Sequence, residues 1–237
     1  EDKLKKIFEP YLSLNAKEIE KKFNIDSDKM SKQYLARLVK KIMGIDDGKE
    51  IEEFKKAGIE IKTLRVNNEW VLFEHLSFPA FDYRELKNEN WIESKFHDRL
   101  ENTKYFFVIF KSKFSSKNKF NNMSTKEKKT DLKMENVLLW NMPGDDVEKA
   151  KPVWEKMNKI MKTGGPIIKK ISNSGRRFTY FPNKSENPIA HVRPHARDKE
   201  DISPLPDNFE INGYTKHSFW LNKGYIAKQL KGEIVNV

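Results

Sequence analysis

The longest uninterrupted apolar stretch in the sequence, YFFVIF at residues 105–110, is six residues long. A membrane-spanning helix needs about 20 such residues, so the stretch cannot be one. Its aromatic and β-branched content reads as a strand over 104–111. Similar segments lie at 59–66 (IEIKTLRV), 70–78 (WVLFEHLSF) and 137–142 (VLLWNM), and the four together predict a central sheet. Helical signals flank them. Asn15 with Glu18 three residues on forms a variant capping box. In YLARLVKKIMG the apolar residues Leu35, Leu38, Val39, Ile42 and Met43 fall at helical spacing, and Gly44 ends the run. Residues 145–163 predict an amphipathic helix closed by Gly164, Gly165 and Pro166. Shorter strands are expected at 167–172, 177–181, 190–194 and 216–221, and a last helix at 223–231. This order, without repeats, indicates an α+β or mixed α/β fold.

Composition bounds what such a fold can do. A chain of 237 residues with 16 Phe, 7 Tyr and 5 Trp can bury a real core in one domain of two closely packed lobes, despite a charged fraction of 34%. The absence of cysteine excludes a disulfide framework and cysteine-ligated zinc and fits a reducing cytosol. No membrane partner is expected. The 46 Lys and Arg against 35 Asp and Glu leave a net charge of +11, which points to a polyanion, with DNA ahead of RNA or a membrane surface. Simple solubility is the competing explanation. Between Lys111 and Lys133 eight lysines stand against Glu127 and Asp131 among Ser, Asn and Thr, which reads as a basic mobile loop over 111–133. Because residue 1 is Glu rather than Met, the sequence reads as a fragment of a longer chain or a processed form.

The 59–66 segment raises the question of chemistry. In an extended chain Glu60 and Lys62 share one face while Ile59 and Ile61 point to the other. A carboxylate and an ammonium so spaced suit a metal-dependent nuclease, but they equally suit the wet face of an ordinary strand. The surroundings carry more. A helix ending in KKIMG, the loop IDDGKEIEEFKK, the strand AGIEIKTLRV, the block VLLWNMPGDDVEKAKPVWEKMNKIM, and the later HVRPHA and SFWLNKGYIAKQL together resemble the MutH family. That family comprises a mismatch-repair nicking endonuclease and related GATC-cutting restriction endonucleases. The resemblance covers nearly the whole chain, with 111–133 as an insertion. It is closest to the C-terminal half of the Sau-type GATC-specific type II enzymes, whose single chain holds two MutH-like halves. It implies a restriction-endonuclease-like core, a central mixed sheet flanked by helices.

The resemblance also implies a damaged active site. Such nucleases hold magnesium through oxygen ligands, and a lysine assists the attack of water on the phosphate. Glu60 and Lys62 match the family's E-x-K, and Glu53 stands where the family has an aspartate. Lys40 replaces the family's helix glutamate, and Asp46 or Asp47 could substitute for the missing ligand. No metal or cofactor is therefore assigned to this domain itself, although the parent enzyme is expected to use magnesium. The DNA-reading residues are better kept. Arg193, Pro194 and His195 of HVRPHA match the loop that enters the major groove, and an Arg there can donate twice to guanine. His191 and His195 lack a third partner for zinc. Trp220 replaces a family tyrosine near the DNA, although a Trp in an apolar strand also suits a core. Lys223, Lys228, Arg176 and Arg177 are candidate phosphate contacts.

Three functional classes follow. The first is a GATC-recognising binding module in the bacterial cytoplasm, acting as tether or allosteric effector for an N-terminal catalytic half of the same polypeptide. The alternative is an active magnesium-dependent GATC endonuclease. The third is a basic scaffold without sequence preference.

Overall fold

A computed structural model of the chain describes residues 2–25, 30–31, 33–45, 54 and 56–234. Its strands are β1 (Ile59–Val66), β2 (Leu76–Ser77), β3 (Lys104–Lys111), β4 (Lys133–Trp140), β5 (Ile168–Ile171), β6 (Arg177–Thr179), β7 (Ala190–Pro194), β8 (Ile202–Pro204), β9 (Gly213–Thr215) and β10 (His217–Leu221). They belong to two compact units. The first comprises residues 1–74, 102–141 and 227–237, and the second residues 75–101 and 142–226.

In the first unit β3 is the middle strand of a mixed sheet, parallel to β1 and antiparallel to β4. A middle strand covered on both faces has no wet side, which explains why Tyr105 to Phe110 are apolar without alternation and fully buried. Each such side chain contributes roughly 1.5–3 kcal/mol of burial. The Tyr34–Ile42 helix packs against β1 through Leu35, Leu38, Val39 and Ile42. The Ala16–Lys22 helix opens with the expected Asn15–Glu18 capping box. Between these elements Phe8, Ile19, Phe106, Phe110, Phe120 and Leu132 share one core.

Two expectations are corrected here. The 111–133 segment is not a loop: it contains helices at Lys117–Asn121 and Thr125–Asp131, the second started by a Ser124–Glu127 capping box. Phe120 is buried, and Lys129 Nζ donates to Glu20 at 2.8 Å with both side chains almost inaccessible. A lysine run looks solvated until one of its members meets a distant acid. Nor does 70–78 join the central sheet. Asn67 Oδ1 accepts from the Glu69 and Val71 N–H groups, and Trp70 takes a φ of +63°. The chain therefore turns, leaves only a Val66–Leu72 bridge beside β1, and contributes just Leu76–Ser77 to a different sheet. The fourth expected strand is real but starts earlier, at Lys133.

In the second unit the Gly144–Thr163 helix buries Val147, Val153, Trp154, Met157 and Met161 against the Tyr83–Asn88 and Lys95–Glu101 helices and β7. Gly164 closes it at φ +81°, and a Cβ there would lie 2.4 Å from the Asn208 carbonyl oxygen, so only glycine fits. β10 lies between β2 and β7, antiparallel to both. Two small antiparallel ribbons, β5–β6 and β8–β9, complete the unit. The last helix, Lys223–Ile234, starts in this unit, and from Ala227 on it belongs to the first. No helix among the described residues is long and apolar enough to cross a membrane.

Candidate nucleic-acid interface

The β7–β10 register pairs His191 with Trp220 and Arg193 with Ser218. Strand alternation then brings His191, Arg193, Ser218 and Trp220 to one sheet face. HVRPHA is thus mostly strand, with the exposed side chains of Arg193, Pro194 and His195 at its end. The Arg193 guanidinium lies over the Trp220 ring, 5.4 Å from its centroid. The His195 ring is 5.8 Å from the same indole, and its Nδ1 is 3.2 Å from Ser218 Oγ. Trp220 is therefore a half-buried platform for Arg193 rather than a core residue. A cation over an aromatic face is restrained without being neutralised.

Behind Arg193 the strand is covered. His191 is buried and meets the His75 ring edge-on at 4.6 Å. His75 Nδ1 accepts the Lys223 backbone N–H at 3.1 Å, so its proton sits on Nε2 in the neutral ring. Burial, then the charges of Arg193 and Lys223, push the His75 pKa down to about 4. Burial, then the neighbouring His75, does the same for His191, also to about 4. Both rings are neutral near pH 7.

A groove of about 1020 Å³ opens on the same unit. Lys156, Lys169, Lys170, Arg176, Arg177, Lys184, Arg193 and Lys199 line it against only Glu186 and Asp198, with Phe178, Tyr180 and Tyr214 among them. Arg176 stacks over Phe178 at 5.2 Å and Arg177 over Tyr214 at 5.6 Å. The groove brings together four residues expected from the sequence: Arg176, Arg177, Arg193 and Pro194. Lys223 and Lys228 are not among its lining residues. Lys223 opens the last helix, and the Lys228 side chain is exposed along it. Lys156, Lys169, Lys170, Lys184 and Lys199 were not anticipated. The signal available for two of them was the run KKISNSGRRF, which puts a cation pair on each side of a turn.

In the first unit Glu60 and Lys62 are both partly exposed on β1 and form an ion pair at 2.6 Å. Their β3 neighbours in register are Tyr105 and Phe107. Lys40 is half-buried in the last turn of the helix that packs against this strand. Glu53, Asp46 and Asp47 lie outside the described residues. Among the described residues no group of three His, Cys, Asp or Glu side chains could hold a metal ion. Of the carboxylates expected at a magnesium site, Glu60 is the one among the described residues, and it is paired with Lys62.

A mixed α/β fold with a cationic, aromatic-lined groove belongs among candidates for polyanion-binding proteins. Sequence comparison narrows the class. Over 259 aligned residues the chain is 27% identical to the type II restriction enzyme Sau3AI of Staphylococcus aureus, a match that takes in 94% of this chain. The chain spans about half the length of that relative, 50%. No protein-family model matches the sequence. The chain is thus similar, over nearly its whole length, to about half of a type II restriction enzyme.

Proposed function

We propose that this domain recognises GATC in duplex DNA, corresponds to the C-terminal half of a type II restriction endonuclease, and does not cleave efficiently by itself. The observation that carries the reading is Arg193, which projects from a strand end, lies over Trp220 and lines the cationic groove. Phosphate neutralisation by the groove supplies affinity for any duplex, since each contact releases condensed counterions. The Arg193 fork supplies discrimination, because two parallel N–H donors match guanine O6 and N7. Restraint by Trp220 reduces the rotamer freedom lost on binding.

Cutting is assigned to an N-terminal half of the same polypeptide in the bacterial cytoplasm, with magnesium as that half's cofactor. Lys40, an ammonium at the position of the family's helix glutamate, supports a degenerate site here. Binding at this domain then tethers the enzyme or shifts the catalytic half toward its active state, which requires different affinities for the two states.

Mobility shifts with GATC and scrambled duplexes, with and without magnesium, test the reading. Arg193→Ala is expected to cost about 1–3 kcal/mol on GATC and much less on scrambled DNA. Arg193→Lys should recover general affinity more than specificity. Equal losses on both duplexes, with the fold intact by circular dichroism, would remove Arg193 from recognition. The partly exposed Glu60–Lys62 pair also supports a second reading, an active magnesium-dependent endonuclease. Robust plasmid cutting by the purified chain, abolished by Lys62→Ala, would establish it in place of the first.

A further inference from the structure

The β5–β6 ribbon is exposed over nearly its whole surface, on both faces, and it carries apolar as well as cationic side chains. Ile171 is 60% exposed at its end, opposite Arg177, and Phe178 is 37% exposed opposite Lys170. Solubility does not explain these residues, because exposed apolar groups at a ribbon end oppose it.

The ribbon is nonetheless well built. Its tip closes through the Ser172 N–H to the Arg176 carbonyl at 2.9 Å and the Arg176 N–H to Ser172 Oγ at 3.0 Å. Gly175 supplies the left-handed residue at φ +77°. At its base the Tyr180 N–H donates to the Ile167 carbonyl at 2.9 Å. Lys170 and Arg176 both lie over the Phe178 ring, at 5.1 and 5.2 Å, so cations and apolar surface form one patch. Lys170, Arg176, Arg177 and Phe178 line the same groove as Arg193, and Ile171, paired with Arg177 but not itself in the lining, stands at its margin.

We propose that the β5–β6 ribbon is a second DNA-reading element that lies in the major groove of the duplex read by Arg193, where Ile171 packs on a thymine methyl group. The proposal rests on the DNA-binding reading above and adds a base contact to it. A two-stranded ribbon fits the B-DNA major groove, which is about 12 Å wide, and the thymine C5 methyl is the apolar feature displayed there. The ribbon cations complement the phosphates on either side. An element serving only phosphates would have no use for Ile171.

Replacing thymine by uracil deletes that methyl group and nothing else, so the test is a thymine-to-uracil scan through GATC and its flanks. For the unaltered chain one position should lose about fourfold in affinity, the worth of roughly one buried methyl group. Ile171→Ala should bind the all-thymine duplex about fourfold more weakly and become insensitive to uracil at that position. Ile171 is mostly exposed, so this variant should keep its fold and thermal midpoint. If Ile171→Ala binds every duplex as the unaltered chain does, or keeps the same uracil sensitivity, the ribbon proposal is overturned while GATC binding stands. If the unaltered chain binds no duplex, the reading beneath it fails as well.

Discussion

Lowering the pH from 7 to 5 is expected to remove about 2 kcal/mol of stability through His217 alone. This ring is 4% exposed, with its Nδ1 2.7 Å from the Thr215 carbonyl and 2.9 Å from Tyr83 Oη. The Tyr83 hydroxyl itself donates to the Thr215 carbonyl at 2.6 Å. Nδ1 therefore carries the proton of the neutral ring and shares that oxygen. Phe181 meets the imidazole edge-on at 4.9 Å, and Tyr214 stacks on it at 5.6 Å. Burial pushes the folded-state pKa down to about 4, partly opposed by the Thr215 contact. In the unfolded chain the value is about 6.5. Between those values the unfolded state binds the proton and the folded state does not, so stability falls as pH falls through about 6.5 toward 4. Integrating the two titrations from pH 7 to 5 gives the loss stated. Urea denaturation at both pH values, at fixed ionic strength, measures it. His217→Phe cannot take up the proton, so its stability difference between pH 7 and 5 should be smaller by about 2 kcal/mol, whatever it loses at pH 7 from the missing hydrogen bond. Identical pH dependence in the two proteins would refute the argument.

Lys129→Met should destabilise the chain by about 3–5 kcal/mol in the same assay, because it removes the buried cation from the buried Glu20 carboxylate and leaves it only the partly exposed Lys17 ammonium as an ion-pair partner. Adding Glu20→Gln should recover part of that loss, since the buried side chain then carries no charge. Lys223→Ala, if the side chain meets a phosphate, should weaken GATC and scrambled duplexes alike and flatten the salt dependence of binding by about one unit, as measured by titrations at several salt concentrations.

What the sequence made legible was local. The YFFVIF run, the Asn15–Glu18 box and the glycines after Ile42 and Thr163 are each signals contained within a few residues, and each has its expected element. Pro152 sits inside the long helix and argues against it locally, but burial of Val153, Trp154 and Met157 outweighs the missing N–H. What could not be read was set by distant partners. Lys129 becomes a core residue through Glu20, 109 positions away. WVLFEHLSF has the composition of a strand, but the Asn67 side chain, just before it, turns the chain. At the site the same limit applies. HVRPHA drew attention to Arg193, but the restraint of that side chain depends on Trp220, which the β7–β10 register brings beside it.

The net charge of +11 concealed two uses of cations. In the first unit Arg65, Lys62, Lys111 and Lys129 face Glu74, Glu60, Glu135 and Glu20, so their charge is matched by carboxylates within the fold. In the groove of the second unit Lys156 and Lys199 have carboxylate partners, Glu186 and Glu200. Lys170, Arg176, Arg177 and Arg193 instead lie over Phe178, Tyr214 and Trp220. The difference has a functional consequence. A carboxylate cancels the field that a phosphate would feel, whereas an aromatic face holds the cation in place and leaves its charge available. Aromatic residues beside the groove thus do for Arg193 and the β5–β6 ribbon what acids do for Lys129, fixing the side chain, but without using up its attraction for an anion.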